Sequence, residues 1–132
     1  MSEWKTKSRR KKTGGIDNSF NAATKKLSDK GGSFSKTTVS KDADKRYQSR
    51  TRGGGAKVKI AKATTVLISQ AGKTVKGKLI TVTENAANKQ FIRQNVITKS
   101  AIAKVIIDGK EVNVKITSRP GQSGQVSGVI VK

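Results

Sequence analysis

Cations clustered beside glycines are the residues of this chain with the clearest chemical capacity. Lys5 to Lys12, KTKSRRKK, holds six cations in eight residues, and Thr13-Gly14-Gly15 follows. Like charges this dense repel, so the run stays extended until phosphates neutralise it. Lys5, Lys7, Arg9, Arg10, Lys11 and Lys12 are candidate phosphate ligands on this ground, together with Thr13, Gly14 and Gly15 at the end of the run. A solubilising or targeting tail is the plainer alternative, but the positive excess continues through the whole chain.

A second cluster is Arg50 to Lys59, RTRGGGAKVK. Its three glycines permit unusual backbone angles and let a polyanion approach the main chain. Arg50, Arg52, Lys57 and Lys59 supply charge, and exposed N–H groups around Gly53 and Gly54 can form an anion nest. A flexible hinge between a tail and a domain is the plainer reading, and the two are compatible. A third group lies in Thr83 to Ala101, TENAANKQFIRQNVITKSA, where a helix-like pattern interrupts strand-like sequence. Phe91 and Ile92 are expected to be buried there and to plug the domain, with Lys89, Arg93 and Lys99 turned toward an anion. Arg119, in the turn Ser118-Arg119-Pro120-Gly121, completes the set.

The balance of 29 Lys and Arg against 8 Asp and Glu gives a formal net charge of +21 in 132 residues. Self-repulsion on this scale does nothing for a fold. It points to a polyanionic partner, nucleic acid ahead of a membrane surface. No apolar run approaches the roughly 18 residues of a membrane-spanning helix, and the N-terminus lacks the apolar core of a secretory signal. Cysteine and histidine are both absent. Disulfides, thiolate or imidazole metal sites, and Ser-His or Cys-His catalysis are thereby excluded. The carboxylates after Lys57 are Glu84, Asp108 and Glu111, and the last two flank a turn where backbone reasons suffice. No catalytic residue, metal, cofactor or small-molecule substrate is expected. Ala71-Gly72-Lys73-Thr74 imitates the end of a nucleotide-binding loop, but Leu67 stands where that motif needs glycine.

The elements that must position these cations divide the chain near residues 52–57. Residues 1–57 hold eight large apolar side chains and residues 58–132 hold twenty-four, of which twenty-one are Val or Ile. The expected organisation is a basic extension over 1–56, disordered when free, and a small globular domain over 57–132. Residues 16–49 read as loop, with Asn21 to Leu27 suited to a turn or two of helix on RNA. Trp4 is expected to pack as an anchor on the core domain, with stacking on a base or sugar as the alternative. In the domain, strands are expected at Lys57–Ile60, Thr64–Ser69, Val75–Thr83, Ala101–Ile107, Val112–Ile116 and Val126–Val131. Asp108-Gly109 signals a hairpin, Asn85 is the expected N-cap of the short helix, and Gly128 marks a bend or close approach. The predicted class is mainly all-β: a closed or partly closed barrel of about six strands with one short helix.

Trp4, Ser8–Gly15 (SRRKKTGG), Thr51–Gly54 (TRGG) with Lys57-Val58-Lys59, Glu84–Ala101 (ENAANKQFIRQNVITKSA) and Thr117–Gly124 (TSRPGQSG) occur in one order along the chain. In these segments the chain resembles small-subunit ribosomal protein eight of the archaeal and eukaryotic type, at the archaeal length. The resemblance implies a β-barrel on the small subunit with an N-terminal extension threading into small-subunit rRNA, in the cytoplasm. Its partners would be that rRNA and neighbouring ribosomal proteins, with a monomer outside the ribosome. A ribosome-assembly factor of the same family is the near alternative. A free-standing cationic nucleic-acid-binding protein is the more distant one, and the low aromatic content of the domain argues against it.

Overall fold

A computed structural model describes residues 2–19, 26–51, 53–70 and 72–131. Arg52 and most of the Asn21–Leu27 segment lie outside them. The chain divides into two compact units, Met1–Phe34 and Ser35–Lys132. In the first unit, β1 (Ser2–Trp4) is followed by a 3-10 turn (Leu27–Asp29) and β2 (Lys30–Gly32). The two strands pair antiparallel, with Trp4 opposite Lys30. Trp4, on β1, is 40% exposed. Between them, Arg9 to Asp17 forms a narrow hairpin, Arg10 bridging Ile16 and the Asp17 amide donating to the Arg9 carbonyl at 2.8 Å.

The second unit runs β3 (Thr38–Val39), β4 (Lys45–Arg50), β5 (Ala56–Ala63), β6 (Thr65–Gln70), β7 (Lys73–Glu84), α1 (Lys89–Arg93), β8 (Ile102–Ile107), β9 (Lys110–Ile116), α2 (Pro120–Ser123) and β10 (Ser127–Ile130). A closed barrel takes the order β10-β6-β7-β8-β9, and a three-stranded sheet takes the order β3-β5-β4. The expectation of a mainly β protein with a closed barrel therefore holds. The barrel uses five strands rather than about six, and a second short helix, α2, stands where the sequence reads only as a turn. Thr38–Val39 and Lys45–Ser49, within the 16–49 stretch read from composition as loop, are paired into the sheet.

The barrel forms because β-branched residues alternate with polar ones along β6 to β10, so one face of each strand turns inward. Val66, Ile68, Leu79, Val82, Ala103, Val105, Val114 and Ile116 fill the interior. Asp108 and Gly109 take φ of 48° and 81°, the mirror-image turn that matches strand twist, and β8 and β9 pair in register from Ile107–Lys110 back to Ile102–Lys115. Closure comes from β10, parallel to β6 and antiparallel to β9. A Cβ at Gly128 would lie 2.6 Å from Val114 Cγ1 and 2.7 Å from the Lys115 carbonyl oxygen. The expected close approach is therefore real.

The stretch from Glu84 to Ala101 is held by its amides. Asn88, not Asn85, caps α1, accepting from the Gln90 amide at 2.8 Å. Asn85 is buried instead: its Oδ1 accepts from the Ala87 amide and the Thr98 hydroxyl, and its Nδ2 donates to the Val96 carbonyl. Asn95 Oδ1 accepts from the Thr81 hydroxyl at 2.7 Å and from the Val82 amide at 3.3 Å. A five-residue helix cannot persist alone, and these bonds tie it to β7. Phe91 and Ile92 are only half-buried. The buried apolar residues of this stretch are Val96, Ile97 and Ala101, and the first two reach β3 through the Thr38–Val96 bridge and the Ile97 amide's bond to the Thr37 carbonyl. The expected plug is thus displaced by one turn of chain.

Candidate nucleic-acid interface

Two turns carry the first two clusters of cations, and their backbones match. In the first, the Lys11 amide donates to the Gly15 carbonyl at 2.8 Å, and the Gly14 amide returns to the Lys11 carbonyl at 2.9 Å. In the second, the Thr51 amide donates to the Gly55 carbonyl at 2.7 Å, and the Gly54 amide returns to the Thr51 carbonyl at 3.3 Å. Gly14 and Gly54 sit at φ of 88° and 83°, in the left-handed region that a Cβ disfavours. This is the three-residue hairpin loop whose last position favours glycine. Gly53-Gly54-Gly55 is therefore the tip of the β4–β5 ribbon and not a hinge. The chain on either side of it is paired, Arg50 opposite Ala56 and Ser49 opposite Lys57.

The first tip is lined by Arg9, Arg10, Lys11, Lys12 and Thr13, all exposed. Arg10 Nη1 donates to the Gly14 carbonyl at 2.8 Å, bracing the loop from within. Lys5 continues the first unit's sheet through its amide, 2.8 Å from the Asp29 carbonyl, and Lys7 is exposed between sheet and tip. At the second tip the Thr51 hydroxyl repeats the brace, donating to the Gly55 carbonyl at 2.8 Å. Arg50 and Lys57 are exposed beside it, and Lys59 is half-buried two residues further along β5.

The remaining sequence-derived candidates fall into two groups. Lys57 Nζ donates to Gln122 Oε1 at 3.0 Å, so α2 stands beside the ribbon, with exposed Arg119 at the cap position before it. Lys99 is exposed at the same end of the barrel, because its neighbour Ser100 donates to the Ile116 carbonyl at the end of β9. Lys89 and Arg93 are the first and last residues of α1, one turn apart and exposed. The Asn95 carbonyl that ends this turn accepts from the Val39 amide, so α1 leads to the β3 side of the sheet. The ribbon tip belongs to the β4 side.

Two further residues of the ribbon, Arg46 and Tyr47, escape the sequence reading. Arg46 is held rather than offered: its Nη2 pairs with Asp44 Oδ2 at 3.1 Å, and its Nε donates to the Gly124 carbonyl at 3.0 Å. Asp44 also accepts from the Thr64 amide at 2.7 Å, which fastens the start of β4 to the corner between β5 and β6. Tyr47 lies on β4 with Lys59 Nζ 6.0 Å from its ring centroid. Among the described residues, no three His, Cys, Asp or Glu side chains converge as a metal site would need.

The chain matches the family model "Ribosomal protein S8e" over residues 4–131. It is 35% identical over 131 residues to small ribosomal subunit protein eS8 of Methanosarcina barkeri, covering 98% of each chain. It is 36% identical over 132 residues to the protein of the same name from Methanospirillum hungatei, covering 98% of this chain and 99% of that one. A third eS8 protein, from Methanobrevibacter smithii, is 39% identical over 84 residues, 62% of this chain and 64% of that one. With its barrel closed and its basic tips built on glycine, this chain belongs to the ribosomal protein S8e family.

Proposed function

We propose that the chain is a structural constituent of the small ribosomal subunit in the cytoplasm, binding small-subunit rRNA chiefly at phosphate and sugar. The observation that carries this reading is the repeated tip, in which one backbone geometry presents cations at Arg9–Lys12 and again at Arg50 and Lys57. Such a tip is narrow, because its turn position is a glycine, and its charges flank the entering backbone. That suits RNA contact by shape and charge. Side chains cannot read the deep major groove of an A-form helix, so backbone contact dominates. Arg52, Gly53, Gly15, Lys59, Lys89, Arg93, Lys99 and Arg119 extend the phosphate-facing set.

In this reading residues 1–56 act as the RNA-binding extension, its first unit gaining order on contact with phosphate, while residues 57–132 supply most of the core. Neighbouring ribosomal proteins are the other partners, and the free protein is a monomer. The test is sedimentation with small ribosomal subunits after a high-salt wash. Retention is expected of an integral constituent. Release into the wash would favour an assembly factor or a free cationic binder instead.

A further inference from the structure

On the β4–β5 ribbon, this reading leaves Tyr47, Lys45 and Lys62 without a role. Tyr47 is paired opposite Lys59, Ser49 opposite Lys57 and Lys45 opposite Lys62. Directly opposed residues share a face of the sheet, and the register shift beside Lys45 and Arg46 absorbs Ala61 as the extra residue. The opposite face turns Ile60 into the core and Val58 onto Gly124. The first face therefore sets four lysines around one tyrosine, with no carboxylate among its six residues. Lys45 and Lys62 are a directly opposed like-charge pair, an arrangement that costs stability unless an anion lies over it.

Tyr47 is fixed as well as exposed. It is 42% accessible, and its hydroxyl lies 3.0 Å from Ser35 Oγ. Ser35 leads into β3, on the far side of β5 from β4. The ring thus starts on one strand and reaches past the next, lying across the sheet. Lys59 borders it at 6.0 Å. A ring pinned at both ends on a paired strand has little entropy left to lose when a ligand covers it.

We propose that Tyr47 is a stacking platform for an unpaired nucleobase, with Lys45, Lys59 and Lys62 holding the phosphates around it and Lys57 held at the margin by Gln122. The inference rests on the RNA-binding reading and narrows it, from phosphate contact in general to a single-stranded nucleotide at one named ring. A single strand offers a phosphate and a free π-face at every step, which is what alternating cations and an aromatic recognise. A duplex keeps its π-faces stacked inside.

Full-length protein and its Tyr47→Leu and Tyr47→Phe variants would be titrated across a salt series with a single-stranded oligoadenylate and with an RNA duplex of equal nucleotide number. Tyr47→Leu should weaken single-strand binding about ten- to hundred-fold and leave duplex affinity unchanged. Its salt slope should not move, because every cation is retained. Tyr47→Phe keeps the ring and should stay near wild type. Unchanged single-strand affinity in Tyr47→Leu, or an equal loss on both RNAs, overturns the stacking role. Normal binding to both RNAs with failure to enter small subunits also overturns it, and marks the face as a protein contact. Wild-type protein that binds neither RNA at low salt overturns the RNA-binding reading itself, an outcome distinct from the others.

Discussion

The two glycine-tipped turns share a geometry and differ in what stands behind them. Lys11–Gly15 closes a hairpin whose backbone pairing, among the described residues, centres on the Arg10–Ile16 bridge, between the Lys11 amide's bond to Gly15 and the Asp17 amide's bond to Arg9. Every residue from Arg9 to Ile16 is exposed. Thr51–Gly55 closes a ribbon paired from Arg50–Ala56 down to Arg46–Ile60, and Ile60 is in the core. Local chemistry thus decides the shape of a tip, while packing behind it decides how firmly the shape is kept. A firm tip binds a fitting groove with little ordering cost. A pliant one can follow crowded phosphates and become ordered there.

The sharpest way to break the contrast is to remove the foundation of one tip. Ile60→Ala should destabilise the second unit by about 2–5 kcal/mol, the usual loss for a buried Ile truncated to Ala. Thermal unfolding would read this loss. The amide signals of Gly53 to Gly55 should shift with it, while those of Gly14 and Gly15 stay in place. A common response of both tips would mean that they share one foundation.

A smaller effect is expected from the glycines themselves. Gly54→Val forces a side chain into the left-handed region, costing about 1–2 kcal/mol, and should lower the unfolding midpoint of the second unit. Gly14→Val carries the same local strain but should leave that midpoint alone. Hydrogen exchange sharpens the same point without a mutation. The Thr51 amide, at the end of a paired ribbon, should exchange more slowly than the Lys11 amide, and equal rates would refute the difference in foundation.

How much of this was legible in the sequence depends on the element. The barrel was legible because Val and Ile alternate over β6 to β10, and a period of two admits one answer when one face is buried. β4, KRYQSR, has one large apolar residue. It is a strand because β5 supplies its hydrogen-bond partners, which no window of its own sequence reveals. The α1 stretch offers Asn85 and Asn88 as rival caps. The Val96 carbonyl claims the Asn85 side chain and leaves Asn88 to cap, a choice made by tertiary structure. Five residues are also too few for helical periodicity to assign Phe91 a face.

The candidate site was legible as charge but not as shape. KKTGG and TRGGG share glycines at corresponding places, and charge alone marks both as phosphate sites without revealing the turn they share. Tyr47 is not legible as part of the site, because it lies upstream of the apolar-rich residues 57–132 and joins them only through strand pairing with β5.

The smallest effect concerns acid. The Ser19 hydroxyl, and secondarily the Ser19 amide, donate to Asp17 and hold its carboxyl below the ordinary value of 3.8. A lowered folded value means that the stabilisation is fully present above pH 3.8 and disappears as pH falls through the lowered one. The Ser19 amide signal should therefore move only in that acid range, with Gly54 unaffected. A midpoint at or above 3.8 would contradict the assigned bonds.

The central claim is that the tips grip RNA through phosphate. It is tested most directly by the salt dependence of binding to small-subunit rRNA, comparing wild type with a variant in which Arg9, Arg10, Lys11 and Lys12 are all replaced by Glu. The slope of log affinity against log salt should become shallower by about 0.7–0.9 for each phosphate that the variant no longer neutralises, while the second unit unfolds at its usual temperature. An unchanged slope would contradict the account.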